Sequence, residues 1–179
     1  MATHIALLRG INVGGRNPVA MSALADTFVG AGYADVSTYM QSGNVLFTTD
    51  AASGTELETS VERMLEQRFG VSILTVVRSR DELAATVAAA PPDHGSDALR
   101  SEVFFLKHPL TADEAMAEMP ELRDGVDSAS AGPGALYFSR VAARATKTRI
   151  QRFMGTPVFQ RMTVRTWKVT TRLLQLADA

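Results

Sequence analysis

The chain has 179 residues, a formal net charge of −1, 46% hydrophobic and 21% charged residues, and no cysteine. That composition excludes disordered, collagen-like and coiled-coil chains and suits one compact domain or two small ones. The missing cysteines remove disulfides, thiolate metal sites, iron–sulfur clusters and a cysteine nucleophile.

Ile5 to Arg9 (IALLR) is a short apolar run that predicts a buried strand. Gly10 to Ala20 (GINVGGRNPVA) is too rich in glycine to extend it. A helix is predicted from Met21 to Ala31, with Ser22 as its cap and Gly32 as its stop. Val36 to Gln41 and Asn44 to Thr49 alternate as strands, and Ser42-Gly43 between them reads as a two-residue hairpin turn. Glu56 to Phe69 carries Leu57, Val61, Met64 and Leu65 at helical spacing, with Glu58, Glu62 and Glu66 predicted as a solvated face. Val71 to Arg78 is strand-like, which completes a βαββαβ order.

After a helix from Asp81 to Ala90 and a loop with Pro91, Pro92 and Gly95, the order begins again. Val103 to Lys107 reads as a strand and Thr111 to Met119 as a helix capped by Thr111. Val126 to Ala131 and Ala135 to Arg140 flank a Gly-Pro-Gly turn, Thr146 to Met154 is helical, and Gln160 to Arg165 is a weak strand. A last helix runs from Trp167 to Ala177. The reading is therefore α+β: two ferredoxin-like subdomains in tandem, at 1–80 and 101–179, joined through 81–100, with a C-terminal helix. Right-handed crossovers favour the strand order 4-1-3-2, which places the glycine loop beside the hairpin that holds Gln41, Ser42 and Asn44.

LLRGINVGGRN (Leu7 to Asn17) and YMQSGNVLF (Tyr39 to Phe47) are the segments by which the chain resembles the bacterial family catalogued as domain of unknown function 1697. The resemblance implies a cytoplasmic protein of two ferredoxin-like subdomains with no established activity. Near the C-terminus the chain departs from the family pattern, with Thr166 and Lys168 where asparagines are usual.

An eleven-residue connection is long for a strand-to-helix junction, and its glycines suit a backbone cradle for an anion. Arg9, Asn12, Gly14, Gly15 and Arg16 with Gln41, Ser42 and Asn44 are therefore the candidate ligand site, for a small anionic, phosphate-bearing metabolite. The competing reading is a structural one, in which Arg9 and Asn12 tie the loop to hairpin carbonyls. The spacing matches neither GxxxxGK[ST] nor GxGxxG, so neither ATP hydrolysis nor dinucleotide binding is implied. His4, His94 and His108 are scattered, so no metal site and no cofactor are predicted, and no residue is assigned a catalytic role.

From Arg140 onward nine basic residues face one acidic residue, whereas residues 1 to 139 hold nine basic and eighteen acidic. This keeps two alternatives open: non-specific nucleic-acid binding by Arg140, Arg144, Lys147, Arg149, Arg152 and Arg161, or simply solvated helix faces. A third is a protein-interaction module working through exposed sheet edges. The first strand lacks the aromatic platform on which RNA recognition motifs stack bases. With no apolar run near about 20 residues and no basic lead at Met1 to His4, the expected location is cytoplasmic, with no membrane partner.

Overall fold

A computed structural model describes residues 1–179. The chain divides into two compact units, Met1–Leu83 with Leu173–Ala179, and Ala84–Arg172. In the first unit β1 (Ala2–Leu8), α1 (Met21–Gly30), β2 (Ala34–Tyr39), β3 (Asn44–Thr49), α2 (Thr55–Phe69) and β4 (Thr75–Ser79) follow in order, and α3 (Arg80–Ala88) leads out of it. The strands form one antiparallel sheet in the order β2-β3-β1-β4, the sequence-based order read from the other edge. α1 buries Leu24 and Phe28, and α2 buries Leu57, Val61 and Leu65, against Ala6, Leu8, Val45, Phe47 and Val77. Phe47 is the aromatic hinge of this core, with its ring centroid 5.2 Å from Phe28 and 4.8 Å from Tyr33.

The second unit contains β5 (Leu99–Leu106), α4 (Ala112–Ala117), β6 (Asp127–Gly132), β7 (Ala135–Val141), α5 (Ile150–Met154) and β8 (Met162–Thr166), and α6 (Trp167–Ala177) follows. Its sheet has the corresponding antiparallel order, β6-β7-β5-β8. Phe104, Phe138, Phe153 and Phe159 pack together with Leu106, Leu136 and Met162. Thr111 caps α4 as predicted: the Glu114 amide donates to Thr111 Oγ1 at 3.2 Å, and the Thr111 amide donates back to the Glu114 carboxylate at 2.9 Å. The molecule is thus α+β, with two four-stranded antiparallel sheets, and no helix in it is long and apolar enough to cross a membrane.

Several expectations are corrected. Ser22 does not cap α1, whose first residue is Met21 with Ala20 before it. The predicted helix from Thr146 is instead a 3-10 turn over Ala142–Lys147, followed by the short α5. The break comes from Asp127, whose carboxylate accepts from the amides of Arg123 and Arg149 and from the Thr148 hydroxyl, holding Thr148 extended. The two-residue hairpin is a four-residue loop, because Tyr39 pairs with Asn44 and leaves Met40 to Gly43 at the turn.

The largest correction concerns the acidic stripe of α2. Glu58 is fully buried and only Glu66 of the three is exposed. β4 is an edge strand, and alternate amides along it have no neighbouring strand to meet. The Thr75 amide donates to Glu62 at 2.9 Å, the Val77 amide to Glu58 at 3.0 Å, and the Ser79 amide to Glu82 at 2.7 Å. Arg78, equally buried, lies 3.5 Å from the same Glu58 oxygen and supplies the compensating charge. Burial lowers the Arg78 guanidinium from its ordinary value, and Glu58 pulls it back. Glu58→Ala would leave both an amide and a cation buried without this carboxylate. It is expected to cost about 3–5 kcal/mol in urea unfolding, whereas Glu66→Ala should stay within about 0.5 kcal/mol.

Candidate functional site

The glycine loop starts where β1 ends, and its root is held on both sides. The Leu8 amide donates to Gly43 O at 2.9 Å and the Arg9 amide donates to Leu74 O at 2.9 Å. Ile11, one of the loop's apolar residues, is fully buried. A Cβ placed on Gly43 would sit 2.7 Å from Ile11 Cδ1 and 2.9 Å from Leu8 Cβ, so glycine is required there by space as well as by its φ of +91°.

Beyond Ile11 the chain makes a small ribbon. Asn12 and Asn17 approach each other, with the Asn12 amide donating to Asn17 O at 3.2 Å, and Val13 bridges Arg16. Gly14 and Gly15, at φ +58° and +74°, turn the corner between them. Two consecutive left-handed residues make a tight reverse turn of the kind that joins hairpin strands. The tip, Val13 to Arg16, is exposed.

Asn12 positions this ribbon. Its Nδ2 donates to Val19 O at 2.8 Å and to Gln41 O at 2.9 Å, while its Oδ1 accepts from the Val19 amide at 2.7 Å. The loop and the hairpin, 29 residues apart in sequence, therefore meet on one rim, as the strand order required. Asn44 is buried and braces the hairpin by donating to Tyr39 O at 2.8 Å and to Ser42 Oγ at 3.3 Å. Asn12 and Asn44 are thus tied to the fold, and Ile11 fills the space beside Gly43. Arg9 is partly buried, which lowers its guanidinium from the ordinary value, and Arg16, Gly14, Gly15 and Gln41 are exposed. The place is an open rim, not a cleft.

A second polar place, of which the sequence reading named Arg140 only as one of a basic run, lies in the other unit. A cavity of about 420 Å³ opens where β5 begins, β7 and β8 end and α6 starts, lined in part by Arg100, Glu102, Arg140, Trp167 and Lys168. Burial raises the Glu102 carboxyl above its ordinary value, opposed by Arg140. Only long-range strand register brings these residues together, so no local pattern could have shown them.

Residues 1–137 match the family described as Protein of unknown function (DUF1697). No curated protein matches the sequence. Among solved structures, the conserved bacterial protein SP0830 from Streptococcus pneumoniae is similar, at 23% identity over 98% of each chain with a TM-score of 0.81. At that identity the likeness is one of fold.

Two outcomes follow from this geometry. Gly43→Ala is expected to lower stability by about 2 kcal/mol or more through the clash with Ile11, while Gly15→Ala, with nothing within 4 Å of its Cβ, should cost only about 1 kcal/mol from its backbone conformation; urea midpoints compare them. Because the folded state raises the Glu102 carboxyl, its protonation favours folding, and that contribution fades as pH rises through the raised value. Glu102→Gln should therefore melt above the parent protein near about pH 7, with the gap closing toward about pH 4.

Proposed function

The chain belongs to the DUF1697 family, and within it we propose that this protein binds a small anionic, phosphate-bearing ligand on the open rim made by the glycine loop and the Met40–Gly43 hairpin. It does so as a cytoplasmic protein whose two units are each ferredoxin-like plaits. One observation carries the reading: the Gly14 and Gly15 amides have no acceptor within the chain and stand beside the exposed Arg16, on a tip that Asn12 pins to Gln41. Peptide N–H groups and a guanidinium held together at a tight turn form the kind of donor set that takes a phosphate or carboxylate. Arg9 at the loop root and Gln41 and Ser42 on the hairpin extend that donor set. Asn12 and Asn44 hold the rim in place rather than touching the ligand.

A ligand that binds only the folded chain raises its melting temperature. A thermal-shift series with inorganic phosphate and phosphorylated metabolites is expected to give a saturable rise with the parent protein, reduced about tenfold in apparent affinity by Arg16→Ala. Equal shifts in parent and Arg16→Ala would remove the rim as the site. Loss of the effect with a steep dependence on salt would instead favour a nucleic-acid backbone, since several phosphate contacts then release several counterions.

A further inference from the structure

The cavity in the second unit carries a charge arrangement that the fold alone does not explain. Arg100 and Arg140 are direct cross-strand partners on β5 and β7, and like charges in that relation destabilise a sheet. Lys168, on the first turn of α6, adds a third cation to the same cavity. None of the three makes an ion pair, and Arg140 Nε is buried without a hydrogen-bond partner. The nearest carboxylate by register, Asp127 opposite Arg140 on β6, is already committed to Arg123, Thr148 and Arg149. Glu102 alone opposes the cations, and it too has no ion-pair partner.

One wall is aromatic and fixed from behind. The ring of His94 stands edge-on to Trp167 at 4.8 Å and 87°, and a Cβ on Gly95 would fall 2.1 Å from Trp167 Cδ1. The backbone thus comes close enough to hold the indole in one orientation at the cavity edge. A flat indole, a carboxylate that accepts N–H donors, and three cations that outnumber that one carboxylate are complementary to three parts of one kind of molecule. About 420 Å³ is in the range of small-molecule sites and far exceeds the size of a bare phosphate.

We propose that this cavity binds a molecule joining a planar, N–H-bearing ring to an anionic group, the chemistry of a nucleoside monophosphate, with the ring against Trp167, its N–H groups toward Glu102 and its phosphate among Arg100, Arg140 and Lys168. The site is separate from the rim and stands whether or not the rim binds an anion.

Trp167 is the only tryptophan of the chain, so its fluorescence reports on this cavity alone. The full chain is titrated with AMP, adenosine and inorganic phosphate. AMP is expected to change the emission saturably, with adenosine and phosphate each at least about tenfold weaker. Arg140→Gln should weaken AMP about tenfold or more with an unchanged far-UV circular dichroism spectrum, and Arg16→Ala should leave it as it was. If Arg140→Gln does not fold, the exposed Lys168→Ala takes its place with the same expectation. No saturable change below about 10 mM AMP, phosphate alone matching AMP, or parent-like binding by the folded variant would overturn the proposal.

Discussion

Thr75, Val77 and Ser79 alternate along a strand that lies at the margin of its sheet, and each would face a buried or half-buried position with its amide unmet. Three carboxylates meet them instead, two from α2 and one from the first turn of α3. The cost of burying Glu58 is offset because one oxygen serves both a backbone N–H and the Arg78 guanidinium, so no charge is left alone in the interior. This arrangement fixes α2 against β4, and α2 brings Leu57, Val61 and Leu65 into the core. It also closes one edge of the first sheet to strand addition, which weakens any role as a module that recruits partners through that edge.

The rim inherits its position from the same strand. Leu74 immediately precedes β4, and its carbonyl accepts the Arg9 amide where the glycine loop departs. On the opposite side the Gly43 carbonyl accepts the Leu8 amide. A loop rooted between its two neighbours in this way can be long without being loose, and Asn12 adds three further bonds farther out. Asn12 suits the place doubly, because its amide side chain both donates and accepts and because asparagine tolerates its φ of +54° better than most residues.

Much of this was legible in the sequence, for a definite reason. Hydrophobic periodicity and glycine stops locate elements, and the rules of chain connection leave few sheet orders, so the meeting of Gly10 to Ala20 with Gln41 to Asn44 could be reasoned from topology. What escaped were features decided by partners distant in sequence. An acidic residue every fourth position looks the same whether it faces water, as Glu66 does, or caps a strand edge, as Glu58 and Glu62 do. The helical pattern from Thr146 was overridden by one aspartate some twenty residues earlier. The glycine pair was legible as a flexible segment, but that it closes a reverse turn rests on backbone angles that composition does not give.

The charge asymmetry between the two parts of the chain needs the same treatment, because a count of cations does not locate them. Arg165 belongs to the basic C-terminal stretch, yet it is buried, donates to Thr163 Oγ1 and Val164 O at 2.9 Å, and is pushed down to about 10 by its burial. It is a structural residue of β8 and offers nothing to a phosphate outside. Its neighbour in register, Val103, is one residue away from Glu102, whose side chain faces the opposite side of the sheet, since successive residues of a strand alternate between faces. Two adjacent registers thus hold an arginine sealed into the fold and a carboxyl turned toward a cavity of unpaired cations. Along β5 and β8, strand alternation thus decides which charged residues are sealed into the fold and which can meet a ligand.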